Sequence, residues 1–281
     1  MKLITWNIQW GLGMDGCVDL ARIVGEAQRL ADFDVLCLQE VADGFTDLEA
    51  STGENQFAQL AELLPDYTPV DGIAVDLPGR GGGRRRFGNM ILSRLPVGRI
   101  LRHALPWGDD ATQRNMPRSL LEIEVQAGFG PVRVMTTHLD YFSAELRAAQ
   151  VAAIREIYRL AVGRSRRPPK PGSGPYAPGS IPTSTILVGD FNMPPDNPLK
   201  DSLSLPADGV AGLVDAWLAL YPNTPHPPSF CIADQRYGDP HCCDFVWLSD
   251  DLVPRLRGLT YQIETRASDH QPVLVELATA P

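Results

Sequence analysis

The chain has 281 residues, 44% of them hydrophobic, which is enough for a sizeable core and excludes a disordered protein. Lys plus Arg number 25 against 34 Asp plus Glu, a formal net charge of -9, so the overall field works against non-specific binding of nucleic acid. The cysteine count is odd, five, with no C-x-x-C spacing, which argues against a disulfide framework and for reduced thiols in a cytoplasmic setting.

The first residues enter alternation at once, and no secretory leader is expected. No apolar run approaches the ~20 residues needed to span a bilayer. Residues 2–8, rich in Ile, Thr and Trp, predict a first strand that ends near Asn7. Over 18–31, Leu20, Ile23, Val24, Ala27 and Leu30 recur at helical spacing. Residues 35–38 form a continuous apolar run, a strand covered on both faces, ending at Gln39 and Glu40. A shorter helix over 55–64 stops at Pro65, and 73–77 and 89–93 predict neighbouring strands. Between those strands, 78–86 is a glycine- and arginine-rich hairpin tip, expected to be either a solvated turn or a mobile arm for an anionic substrate.

Residues 119–125 alternate Leu and Ile with Glu, predicting a strand with one wet face, and 132–137 predict a strand that runs into His138. The longest helix is expected over 144–162. Residues 163–182, dense in Pro, Gly, Arg and Ser, cannot form core and are expected to be a flexible insertion. The apolar run Ile186-Leu187-Val188 then stops abruptly at Gly189-Asp190-Phe191-Asn192. A short helix over 213–220 and a proline-rich loop over 222–229 follow. Further strands are expected over 244–248, beginning at Asp244, and over 260–264, and Ser268-Asp269-His270 stands directly before the last strand.

One pattern recurs. Asn7, Glu40, His138, Asp190 and Asn192 each sit at or just after the end of a strand, and Asp244, Asp269 and His270 sit at strand beginnings. In packed sheets of mixed direction such ends meet at one edge, where loops carry chemistry on a rigid scaffold. Oxygen ligands favour Mg2+, Mn2+ or Ca2+ over zinc, and histidines can donate to phosphoryl oxygens or shuttle protons. Singly, each residue has a plainer account: Asp190, Asn192, Ser268 and Asp269 are also turn formers, and a lone His138 after a strand is ordinarily a surface residue. A zinc site from Cys231, His241, Cys242 and Cys243 is awkward, because adjacent strand residues point to opposite faces. Packing as small hydrophobes is the plainer reading of these cysteines.

Six motifs, W-N-I-Q at 6–9, L-Q-E-V at 38–41, T-H-L at 137–139, G-D-F-N at 189–192, D-F-V at 244–246 and S-D-H-Q-P at 268–272, together resemble the endonuclease/exonuclease/phosphatase superfamily, the deoxyribonuclease I-like group. The resemblance covers nearly the whole chain. It implies a single domain over 1–281 of the α/β class, a four-layer αββα sandwich with two mixed β-sheets packed face to face and helices outside. It implies Glu40 as the principal Mg2+ ligand, with Asn7 and Asp269 completing the metal site and Mn2+ as a substitute. It implies that Asp190 deprotonates the attacking water and that Asn192 positions it or the phosphoryl group. His270 and His138 would contact the phosphate, with Asp244 fixing the His270 tautomer and Arg118 binding a phosphate oxygen. An Asp–His pair of this kind is expected to hold a histidine poised near neutral pH.

Gln9 resembles the deoxyribonuclease I and sphingomyelinase side of the group, where abasic-site endonucleases carry an acidic residue. His241-Cys242-Cys243 before Asp244 is unusual for the group. The expected activity is Mg2+-dependent hydrolysis of a phosphate ester, by phosphodiesterase or phosphatase chemistry with direct water attack, on a small or lipid-derived substrate. The alternative is a nuclease, for which Arg84, Arg85, Arg86, Arg114 and Arg118 would form a local basic groove. An inactive binding module on the same fold is the third reading.

Overall fold

The computed structural model describes the chain except for residues 109–111, 168, 178, 180 and 281. Strands are numbered in chain order. One sheet holds β1 (Lys2–Asn7), β2 (Val35–Asp43), β3 (Thr68–Pro78), β4 (Arg84–Ser93), β11 (Leu256–Tyr261) and β12 (Val273–Leu277), in the spatial order β11-β12-β1-β2-β4-β3. The other holds β5 (Val97–Ala104), β6 (Ser119–Ala127), β7 (Gly130–His138), β8 (Thr185–Asp190), β9 (Val214–Asp215) and β10 (Asp244–Leu248), in the order β5-β6-β7-β8-β10-β9. In each sheet one central pair is parallel, β1 with β2 and β7 with β8, and the remaining pairs are antiparallel.

The sheets face each other and share a core that includes Leu3, Val35, Cys37, Ile91, Leu121, Ile123 and Val188. Hydrogen bonds cross between them: Gln39 Nε2 donates to Thr136 Oγ1 at 2.8 Å, and Ser119 Oγ donates to the Gly72 carbonyl at 3.0 Å. Helices cover the outer faces. α1 (Leu20–Leu30), N-capped by Asp19, and α2 (Gln56–Leu63), N-capped by Asn55, bury Leu20, Ile23, Ala27 and Leu60 against Ile4, Trp6, Leu36 and Leu38 of the first sheet. α3 (Ala144–Ser165), capped by Ser143, buries Val151, Ile154, Tyr158 and Val162 against the second. Two short helices, α4 (Pro198–Asp201) and α5 (Ala216–Leu220), sit in the connections around β9.

Several local features differ from the sequence-based expectations. α3 runs to Ser165, past the expected start of the 163–182 insertion; part of that segment lies outside the described residues. Residues 213–220 divide into β9 and α5, because the Asp215 side chain caps the helix by accepting from the Trp217 and Leu218 amides. β6 has no wet face at Glu122: that carboxylate is buried, paired with Arg133 at 2.9 and 3.0 Å and with His103 at 3.0 Å. Within the 78–86 tip, Arg84, Arg85 and Arg86 already belong to β4, and all three are engaged. Arg84 pairs with Asp76 at 2.7 Å, Arg85 with Asp47 at 3.4 Å and Arg86 with Asp43 at 2.8 Å. It is a braced hairpin, not a free basic arm.

Two backbone devices place the chemistry. β2 carries one extra residue relative to β4, a bulge between Leu38 and Val41. Leu38 and Val41 both face the helix-covered side, so Gln39 and Glu40 turn in succession toward the other sheet, with Glu40 at φ 61°. On β8, Gly189 sits at φ 135°, and a Cβ there would lie 2.0 Å from the Thr137 carbonyl oxygen. Glycine alone lets β8 stay in register with β7 up to the point where Asp190 aligns with His138. Gly189→Ala is therefore expected to cost about 2 kcal/mol or more, measured by urea unfolding. An unchanged midpoint would overturn this account of the G-D step.

Candidate active site

Strand register brings the chemistry together. Asp190 lies beside His138 on one side and Asp244 on the other, in one row across β7, β8 and β10. Asn7 ends β1 next to Gln39, and the bulge then presents Glu40. The segment before β12 supplies Asp269 and His270, anchored where the Trp6 indole donates to the His270 carbonyl at 2.9 Å and Ser268 Oγ donates to the Asn7 carbonyl at 2.8 Å.

The contacts centre on Asp190 Oδ2. Asn7 Nδ2 donates to it at 3.0 Å and to Glu40 Oε1 at 3.2 Å. His138 Nε2 stands 3.4 Å away and His270 Nε2 3.7 Å away. The other oxygen, Oδ1, accepts the Asn192 amide at 2.8 Å, and Asn192 Nδ2 donates to the Leu139 carbonyl at 2.9 Å. Behind His270, Nδ1 meets Asp244 Oδ2 at 2.9 Å, and that same oxygen accepts from Ser229 Oγ at 2.6 Å. Arg118, immediately before β6, is buried and lines the same trough, its Nε and Nη1 without hydrogen-bond partners. All nine residues picked out in the sequence thus converge on one place.

The two histidines are driven in opposite directions. Burial, and then the nearby Arg118 charge, push His138 down to about 3, so it is a neutral imidazole. Burial pulls His270 down too, but the Asp244 and Asp190 carboxylates outweigh it and hold it up at about 10. His270 is therefore a fixed imidazolium, not the neutral-poised histidine expected from the sequence. Burial, then the Asp269 charge, push the Glu40 carboxyl up to about 7, against the pull of His270 and of the Asn7 hydrogen bond. Burial likewise raises Asp269.

Those shifts bear on a metal. Glu40 and Asp269 both line the trough, and a divalent cation between hard oxygen donors would relieve the penalty of holding them charged together. The donor set fits such a cation. Asp190, Cys243 and His270 also bring potential ligand atoms within 4.8 Å of one another. That trio fits poorly: His270 Nδ1 is committed to Asp244, and burial raises the Cys243 thiol well above its usual value. The expected difficulty with a four-ligand cysteine site is visible as well. Cys242 packs in the main core while Cys243 packs with Phe230 and Cys231.

Sequence reasoning did not find Ser229, which braces Asp244, nor Phe230, whose ring stacks on His270 at 4.4 Å. Both sit at the end of a proline-rich loop with no local signal of a role. Backbone strain also gathers here. Gln9, Trp10, Glu40 and Asn192 all adopt positive φ and all line the trough.

Comparison with known proteins is decisive at the level of family. The model of the Endonuclease/Exonuclease/phosphatase family matches residues 4–270. The chain belongs to this family. Its members are hydrolases acting on phosphate esters. Among solved structures, an endonuclease/exonuclease/phosphatase from Beutenbergia cavernae DSM 12333 superposes with TM-score 0.68 at 23% identity, covering 99% of this chain and 72% of that one. Truncated Caenorhabditis elegans TDP2 gives 0.63 at 19%, covering 99% and 97%. The human Nocturnin catalytic domain gives 0.63 at 16%, covering 99% and 93%. At these identities the likeness is one of fold. No curated protein sequence matches the chain significantly. Among the described residues no helix is long and apolar enough to cross a membrane.

The Asp244–His270 pair generates a prediction with a definite sign. The folded His270 value lies above the ordinary 6.5. The pair's contribution to stability is thus complete below about pH 6.5 and fades as pH rises through about 10. Asp244→Asn should bring the His270 titration down toward neutral in an NMR pH series. An unmoved titration would mean that Asp190 alone sets it.

Proposed function

We propose that the chain hydrolyses a phosphate ester with the help of Mg2+, for which Mn2+ can substitute, by direct attack of water on phosphorus. The observation that carries this reading is the convergence on one oxygen of Asp190, from Asn7 and both histidines, beside the buried Arg118, whose Nε and Nη1 have no hydrogen-bond partner. Such a place accepts a proton on one side and an anion on the other.

In this reading Glu40 and Asp269 hold the cation, and Asn7 keeps Glu40 and Asp190 apart by donating to both. The bound cation supplies Lewis-acid polarisation of the phosphoryl group and offsets its charge. Asp190, held by the Asn192 amide and by Asn7, orients the water and takes its proton. His270, kept cationic by Asp244, presents its Nε2–H as a charged donor to a non-bridging oxygen, and Arg118 presents a second. His138, neutral, contributes one N–H without adding charge. Asn192 completes the phosphoryl-facing set. These donors are in place before substrate arrives, which is where electrostatic catalysis gains most.

The nuclease reading keeps Arg114 and Arg118 but loses Arg84, Arg85 and Arg86, which are ion-paired with aspartates. Polynucleotide binding draws its affinity from several phosphate contacts at once. We therefore favour a small or lipid-derived ester.

Two variants test the assignment on bis-p-nitrophenyl phosphate with Mg2+ or Mn2+. Asp190→Asn should lower kcat by about 10³-fold while metal binding, read by calorimetry, persists. Glu40→Ala should lose both activity and saturable metal binding. Full activity in either variant would remove the mechanism. A salt-titrated assay on single- and double-stranded DNA and on RNA is expected to give no cleavage, and robust cleavage would restore the nuclease reading.

A further inference from the structure

Next to the site lies a third apolar cluster, separate from the two main cores. Ala42, Val75 and Phe87 are its buried part, and Trp10, Phe45, Leu48 and Met116 pack against it while staying partly open. Their open faces form one wall of a trough of about 660 Å³ that runs directly into Glu40, Arg118, His138, Asp190 and His270. The wall is rigid. Phe45 and Phe87 meet edge to face at 6.2 Å, Arg85 lies over the outside of Phe45 at 5.1 Å, and the Trp10 indole N–H is spent on the Glu49 carbonyl at 3.0 Å. Beyond the wall, Leu77, Tyr141, Phe142 and Tyr237 are exposed and extend the apolar lining out to the surface.

A trough of this size is large enough to take most of a drug-sized molecule. Its occupant is constrained by what the wall lacks. Among the described residues the lining holds no lysine, and its arginines are Arg114 and Arg118, so a run of phosphates would find little counter-charge. A sugar or inositol ring would bring hydroxyls that the wall of Trp10, Phe45, Leu48, Val75, Phe87 and Met116 cannot satisfy, at a cost for each one buried. A single aromatic ring would leave most of the trough and the whole exposed rim unused. A flexible hydrocarbon chain meets all three conditions.

We infer that the trough takes the alkyl or acyl chain of an amphiphilic phosphate ester, the chain lying along the Trp10–Phe45–Leu48–Met116 wall while its phosphate meets Arg118, His138 and His270. This inference rests on the phosphoesterase reading and names its substrate class.

The test uses p-nitrophenyl n-alkyl phosphodiesters with methyl, butyl and octyl groups, below their micelle concentrations and with Mg2+. Beside it, binding of n-alkylphosphonates of the same lengths is read by tryptophan fluorescence with and without Mg2+. Burial of methylenes should raise kcat/KM by about tenfold or more from butyl to octyl, with phosphonate affinity rising in parallel. Leu48→Gln and Met116→Gln should each abolish that gain, read within each variant as the ratio of octyl to methyl kcat/KM. Equal kcat/KM across the series, or a gain that survives both variants, would overturn the inference while leaving the phosphoesterase reading intact. A phenyl ester gaining as much as the octyl ester would overturn the choice of a chain. Length-dependent phosphonate binding without hydrolysis of any ester would support the trough and remove the phosphoesterase reading. Neither binding nor turnover would remove both.

Discussion

One oxygen atom, Asp190 Oδ2, is shared among groups from both sheets. Asn7 reaches it from the first sheet, His138 from the second, and His270 from the segment that leads back into the first. A buried carboxylate survives only when N–H donors surround it, so the sandwich must hold its two sheet edges at a fixed separation for the charge to be tolerable. The crossing hydrogen bond from Gln39 to Thr136, one residue below, sets that separation with uncharged groups. The chemistry of the site and the packing of the sheets are the same constraint seen from two sides.

The contrast between the histidines follows from their neighbours. Burial acts on both in the same sense. His270 lies between two carboxylates, whereas His138 has Arg118 close by to oppose the pull of Asp190. The site thus combines a permanent cation with a neutral donor, and neither changes state across the physiological range. Catalytic histidines that shuttle protons are ordinarily tuned close to the working pH. For the proposed hydrolysis, this tuning suits donation and electrostatic support from both histidines, with Asp190 as the proposed proton acceptor.

Much of this was legible in the sequence, because apolar runs that stop dead at polar residues mark strand ends. Asn7, His138 and Asp190 were found that way. Glu40 was also found, but for an incomplete reason: its strand continues to Asp43, and a bulge rather than a strand end aims the side chain. Nothing in the two-residue period announces an extra residue. β5 went unnoticed because its residues alternate between half-buried and exposed and include Gly98, Arg99 and Arg102. The Arg84–Arg86 run left a mobile arm open beside the plainer solvated hairpin tip, because its partners, Asp43, Asp47 and Asp76, are supplied by other segments. Ser229, Phe230 and the apolar wall were invisible for the same reason. They matter through neighbours distant in the chain.

The left-handed backbone at Gln9, Trp10, Glu40 and Asn192 carries a broader consequence. Such conformations cost about 1–3 kcal/mol for a residue with a side chain, and a whole domain is stable by only about 5–15 kcal/mol. Glycine at these four places would relieve the strain, yet each keeps a side chain that faces the trough. The molecule therefore holds thermal resistance in reserve at the positions it cannot change without loss. Engineering for heat tolerance should look to the hairpins and helix ends, where strain and chemistry do not coincide.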